Sequence, residues 1–221
     1  FNDDWMGEIS RRLGDLNDKT PDVISQATNS TARKARKLIV QSLREHYAED
    51  AKTKEYNAAM KIARASRKKY DATIYIRGKV QNLRRFNVSP KDPPASGSSR
   101  PPTTRAQVLL QGGLKELNKG GIKAFITTFK NGDVVVAQRN GSFYTYHRPT
   151  GGIDRHHEAI DKLWSISIPK MAESQLDPKT VRGNMRDTIQ AILVEEIEKQ
   201  IARQLAKHGG LSLIHISEPT R

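Results

Sequence analysis

The stretch 122–146 reads IKAFITTFKNGDVVVAQRNGSFYTY. Two runs rich in β-branched and aromatic residues flank Asn131-Gly132. That dipeptide favours a type I′ hairpin turn, because both residues accept positive φ. Asn140-Gly141 offers a second turn, into the run 143–146. The pattern predicts a three-stranded antiparallel meander. The rest of the chain has to be arranged around it.

On the N-terminal side, Trp5, Ile9, Leu13 and Leu16 recur at helical spacing and predict a helix over 4–16. Thr20, Pro21 and Asp22 form a helix start: an N-cap hydroxyl, a proline in the first turn, and an acid at the positive end of the dipole. That second helix is predicted to run to about Tyr47, with Val23, Ala27, Ala35, Leu38, Ile39 and Leu43 on its apolar side. Arg33, Lys34, Arg36, Lys37 and Arg44 lie on the other side. In YDATIYIRG, residues 70–78, Ala72, Ile74 and Ile76 alternate with polar neighbours, which predicts a strand with one buried face. NLRRFNV, residues 82–88, suggests another short strand. Residues 89–105 are rich in proline and serine and read as an extended loop.

After the meander, LWSISIP predicts a strand ending before Pro169. A long helix over about 178–207 follows, because Val181, Met185, Ile189, Leu193, Ile197, Ile201 and Leu205 step by four. No internal repeat is visible. The expected fold class is α+β, a mostly antiparallel sheet with N-terminal helices and a long C-terminal helix. The expected organisation is helices over 1–50, a basic segment with the first strands over 51–88, and the loop 89–105. The meander and final helix over 106–210 then belong to the same domain.

Composition narrows the function. The 221 residues carry 38 Lys+Arg against 24 Asp+Glu, a net charge of +14. An excess of this size points to a polyanionic partner, most simply nucleic acid. At 36% hydrophobic and 6% aromatic, the apolar supply is thin for this length. Such a chain is either partly extended or buries surface against neighbouring subunits. It has no cysteine, which excludes disulfides and thiolate chemistry. No apolar run approaches the length needed to span a bilayer, and no secretory signal is visible, so no membrane partner is expected.

The charge is densest over 52–69. Lys52, Lys54, Lys61, Arg64, Arg67, Lys68 and Lys69 face Glu55 alone. Lys61, Arg64, Arg67, Lys68 and Lys69 are the candidate contacts to DNA or to an acidic partner. Cations at this density hold phosphates without reading bases. A solvated charge run explains them equally well. Tyr75 is placed to stack on a base, though no RNA-recognition motif frames it.

Catalytic and metal chemistry find little support. His147, Asp154, His156, His157 and Glu158 cluster in sequence, but adjacent histidines point apart and no HExxH spacing appears. The glycine pairs in KGG, 119–121, and TGG, 150–152, fit no nucleotide-binding loop and read as turns. Glu195, Glu196 and Glu198 read as a solvated helix face paired along the helix with Lys199 and Arg203. No catalytic residue, metal site or cofactor is expected.

The end of the chain has a different texture. LSLIHISEPTR, residues 211–221, resembles the translated product of a transposase sequencing adaptor, residue for residue. It is excluded from the fold reading as a scar. Phe1 is not a methionine, and the chain is expected to be open or trimmed at both ends.

The order of these features resembles a known family. YDATIYIRGK, NLRRFNV, KAFITTFKNGDVVVAQRNG and WSISIPKM follow one another and end in a long helix. This resembles the minor tail protein Z family of long-tailed, lambda-like phages and prophages, also called tail completion proteins. The resemblance spans most of 20–207. Two segments depart from it: HRPTGGIDRHHEAID, 147–161, is longer than the expected connection, and the loop 89–105 is expanded. The resemblance implies a structural protein of the virion tail or head–tail neck, made in the host cytoplasm. It implies a homo-oligomeric ring that joins other neck and tail proteins and surrounds passing genomic DNA. It implies no catalytic residues. The alternative is a nucleic-acid-binding protein without sequence preference.

Overall fold

A computed structural model of the chain describes residues 3–50, 53–95, 102–146, 155–176 and 185–209. The adaptor-like tail, His147, Asp154, the TGG turn and Val181 lie outside them. The chain opens with helices α1 (Asp3–Leu13), α2 (Thr20–His46) and α3 (Thr53–Ala59). Strands β1 (Met60–Ala63), β2 (Thr73–Ile76), β3 (Val80–Asn82), β4 (Asn87–Ser89), β5 (Arg105–Gln107) and β6 (Lys115–Glu116) follow. Then come β7 (Asn118–Lys119), β8 (Ile122–Lys123), β9 (Phe125–Thr128), β10 (Val134–Tyr146), β11 (Arg155–Lys162) and β12 (Trp164–Ser167). Helices α4 (Ile168–Leu176) and α5 (Met185–Gly209) close the described chain. The class is α+β, as the pattern predicts. All strand pairings among the described residues are antiparallel.

The chain divides into two compact units. The first comprises the described residues within 1–41, 57–77 and 172–209. Its core joins Ile9 and Leu13 of α1, Val23, Ile24 and Ala27 of α2, and Ile197 and Ile201 of α5. Met6, Leu16, Tyr70 and Leu193 pack around them. Each fully buried aliphatic side chain in such a cluster contributes about 1.5–3 kcal/mol of transfer free energy. The step-of-four stripe on α5 is therefore used unevenly. Ile197 and Ile201 are buried, while Leu205 is 42% exposed.

Two details of this unit differ from the sequence expectation. The first helix stops at Leu13, because Gly14 adopts φ +56° and turns the chain into a 3-10 segment. That segment runs straight into α2, so Thr20 is already helical and donates its backbone N–H to Asn17. The Thr20 hydroxyl makes no capping bond, since the preceding turn has taken over that role.

The second unit comprises residues 42–56 and 78–171. Its main sheet has the order β11-β10-β9. Val135, Val136 and Ala137 lie at its centre, fully buried. Asn131-Gly132 is indeed the β9–β10 turn, but not in the type I′ form. Gly132 has φ +85°, and among the described residues no non-glycine residue has positive φ. Gly132 N–H bonds to Phe129 O, and Phe129 N–H to Asp133 O. This is a three-residue loop with glycine at its left-handed position. Asn131 instead uses its side-chain oxygen to accept the Asp133 N–H.

Asn140-Gly141 does not turn the chain. Strand β10 continues through it, with Gly141 at φ +80° and a register slip between Arg139 and Phe143. A glycine-centred bulge accommodates the signal that the sequence reading takes for a turn. The third strand of the sheet is therefore β11, in the segment 147–161 that the sequence pattern leaves as a connection. NLRRFNV is likewise not one strand. Asn82 caps a 3-10 turn over Leu83–Arg85 by accepting the Arg84 N–H, and β4 begins after it. WSIS forms β12 against β3, and Pro169 then sits in the first turn of α4, a helix the sequence reading omits. Gly78 permits a close approach here: a Cβ at this position would lie 3.3 Å from the Pro169 ring.

Candidate functional site

The basic segment is not a featureless charge run. It supplies α3, β1 and the turn that leads into β2. In the β1–β2 ladder Met60 faces Ile76, Lys61 faces Tyr75, Ile62 faces Ile74 and Ala63 faces Thr73. Alternation then sorts the side chains. Met60 is buried and Ile62, Ile74 and Ile76 are half-buried, while Lys61 and Tyr75 share the exposed face. The tip closes through reciprocal backbone bonds between Ser66 and Lys69, which hold Arg67 and Lys68 at the apex of a tight turn.

The five candidate cations thus fall on one hairpin, with different environments. Arg67 makes a two-pronged contact with Asp22 of α2, at 2.5 and 2.6 Å. The Asp22 carboxylate holds its guanidinium still more firmly protonated. Lys69 lies 3.3 Å from Asp71. Lys61, Arg64 and Lys68 are exposed and meet no acid among the described residues. The structure therefore separates two anchored cations from three available ones, a distinction the sequence reading does not make.

Besides the Arg67–Asp22 pair, a second α2 side chain holds the hairpin. Asn29 donates to the Ala65 carbonyl at 3.0 Å and accepts the Ala65 N–H at 2.9 Å. Ala65 is only 7% exposed, so water replaces neither bond freely. Asn29→Ala should cost about 1–3 kcal/mol, because it leaves a buried donor and a buried acceptor unmet. Amide exchange should also speed up at Ala65. An unchanged exchange rate there would refute the pinning role. Arg33 and Lys37 follow Asn29 at four-residue steps, so they share its face of α2 and extend the basic surface along the helix. The sequence reading places both on the helix's charged side without joining them to the site. The cue was the spacing from Asn29.

The acids on α5 also differ from expectation. Rather than pairing along their own helix, they bridge helices. The Glu198 carboxylate meets Arg12 of α1 with both oxygens at 2.5 Å. Glu196 is 2% exposed and lies 2.8 Å from Lys34 of α2. Lys34, then Ser30, hold its carboxyl below the usual range.

The histidine cluster is divided by the sheet. His157 stacks on Tyr144 across the β10–β11 ladder, with ring centroids 5.8 Å apart. Glu158 points to the opposite face and lies 3.2 Å from Arg139. Among the described residues no group of His, Cys, Asp or Glu is placed to hold a metal ion, and no helix is long and apolar enough to cross a membrane.

Comparison with protein families adds one finding. A family model described as prophage minor tail protein Z matches residues 8–208, which include segments of both units and the whole basic hairpin. No curated protein and no solved structure matches the chain.

Proposed function

We propose a function from one premise: this chain belongs to the prophage minor tail protein Z family. It is thus a structural component of a phage tail and of the virion. Our finer reading is that it completes the tail and joins it to the head at the neck. It acts by assembly and not by turnover, as a homo-oligomeric ring among other neck and tail proteins. The basic hairpin faces the DNA that passes through.

The observation that carries the DNA reading is the exposed face on which Lys61 and Tyr75 stand directly opposite each other, next to the acid-free Arg64 and Lys68. Such cations neutralise phosphates without sequence preference, and the phenol ring offers a stacking surface to any exposed base. The triple reversal Lys61→Glu, Arg64→Glu and Lys68→Glu tests it. Particles carrying this variant should lose packaged DNA or fail to join heads to tails, as read by infectivity and electron microscopy. If the isolated protein binds duplex DNA through these three contacts, the slope of log affinity against log salt should fall by about 3. Normal infectivity and normal DNA content would sink the proposal.

The same face also supports a second reading, a nucleic-acid-binding protein that acts outside the virion. Gene neighbours separate the two. Portal, head-closure, tail-terminator and tape-measure genes alongside favour the neck. A solitary gene, with nanomolar and salt-sensitive DNA binding by the monomer, favours the alternative.

A further inference from the structure

The sequence ARKARK, residues 32–37, lies in the middle of α2. Lys34 turns toward α5, where Glu195 and Glu196 engage it. Arg33, Arg36 and Lys37 meet no acid among the described residues. Helix α2 holds only two acids of its own. Asp22 is taken by Arg67, and Glu45 lies more than two turns beyond Lys37. Arg33 stands three residues from Arg36 and four from Lys37, so like charges crowd one patch of the helix. That crowding weakens the helix that carries it.

Arg36 sets this patch apart from a solvated charge run. It is half-buried, and its Nε is a buried donor that makes no hydrogen bond among the described residues. A guanidinium held partly away from water, with no carboxylate beside it, costs stability. A phosphate at the planar fork would supply the missing counter-charge through paired charge-assisted bonds.

Two contacts place the patch beside the hairpin. Arg67 meets Asp22 and Ala65 meets Asn29, so β1 approaches the turn running antiparallel to α2. Arg36 lies two turns beyond Asn29, on the same side of the helix. Lys61 is about 13 Å back along the chain from Ala65, at the rise of a strand. Lys37 is about 12 Å along the helix from Asn29. The hairpin cations Lys61 and Arg64 therefore run alongside Arg33, Arg36 and Lys37.

Resting on the reading that the hairpin faces DNA, we infer that Arg33, Arg36 and Lys37 form a second phosphate seat. It holds the nucleic-acid backbone beside the hairpin. The partner is a nucleic acid and not an acidic protein because a phosphodiester backbone carries a charge at every step. It meets cations on a helix and on a strand without needing a matched surface. The net charge of +14 draws the same class of partner from a distance.

Two variants test the seat on a DNA duplex of random sequence across a salt series: Arg33→Gln with Arg36→Gln and Lys37→Gln, and Arg36→Met alone. Circular dichroism checks that both fold. The triple variant should flatten the slope of log affinity against log salt by about 3, and Arg36→Met by about 1. Arg36→Met should also hold or raise the midpoint of urea unfolding, because it removes an unmet buried donor and eases the crowding of like charges. A side chain that served only the fold would lower that midpoint and leave the slope alone, which overturns the seat. A triple variant with the wild-type slope, where reversal of Lys61, Arg64 and Lys68 still flattens it, also overturns the seat and leaves the hairpin reading standing. Wild-type DNA binding by the triple variant, combined with failure to join heads to tails, overturns it in favour of an acidic protein partner. A wild-type chain that binds no duplex at low salt overturns both readings.

Discussion

Ile24→Ala should lower the unfolding free energy by about 3 kcal/mol. Ile24 is fully buried, in one cluster with Ile9 and Leu13 of α1 and Ile197 and Ile201 of α5. Removing three carbons there loses their transfer energy and leaves a cavity bounded by three helices, which cannot collapse without shifting a whole helix. Typical domains hold only about 5–15 kcal/mol in reserve, so the variant should lose a large fraction of its stability by urea denaturation. Leu205→Ala is the matched control. It continues the same stripe on α5 but is 42% exposed, and should cost well under half as much. Equal losses at the two positions would mean that the three-helix core is not packed as described.

That contrast shows where the sequence is legible and where it is not. The step of four on α5 is visible in the residues, but nothing in it separates Ile201 from Leu205, because burial depends on where α1 and α2 end. The start of α2 at Thr20 is legible from Pro21 and Asp22, yet the capping mechanism is not. It depends on a 3-10 turn whose cause, a positive φ at Gly14, lies six residues earlier. Asn131-Gly132 marks a turn by local preference, and Asn140-Gly141 carries the same preference. The second becomes a bulge because β11 pairs on both sides of it, a long-range fact. Strand β11 escapes notice for the same reason. RHHEAIDK has little alternation of its own and becomes a strand beside β10. At the site, composition finds the five cations. Only the fold shows that Asp22 and Asp71 engage two of them and that Tyr75 stands opposite a third. The inter-helix roles of Glu196 and Glu198 are hidden too, since plausible partners on their own helix mask the true ones.

Arg85→Met should be the most pH-sensitive change in the molecule. Glu49 follows α2, and its side chain is fully buried. Tyr56 donates its hydroxyl to Glu49 Oε2 at 2.7 Å, and Arg85 Nε lies 3.2 Å from Oε1. Arg85 also reaches Glu55. Removing the guanidinium leaves a buried carboxylate with only the phenol for support. A fully buried pair broken this way costs about 3–5 kcal/mol, and the 37% exposure of Arg85 reduces that to about 2–3. Burial already pushes the Glu49 carboxyl above its ordinary value, against the opposing pull of Tyr56 and Arg85. Without Arg85 it should rise further. A carboxyl raised in the folded state binds its proton more tightly there than in the unfolded chain. Its stabilising contribution is therefore complete below the ordinary value of 4.5 and is lost as pH rises through the folded value. The deficit of the variant should be greatest at neutral pH and shrink as pH falls toward 4.5. Glu196 and Glu198 act in the opposite sense. Their carboxyls are lowered by Lys34 and Arg12, so their contribution is present above 4.5 and lost as pH falls through the folded values. Those contributions are common to wild type and variant and cancel in the difference between them. Urea unfolding of both proteins between pH 4 and 8 thus reads the carboxylates that Arg85 neutralises, Glu49 and Glu55. Adding Glu49→Gln to Arg85→Met removes the charge and should recover much of the loss at neutral pH. A deficit that stays constant across the range would show that Arg85 supports the fold by packing rather than by neutralising Glu49.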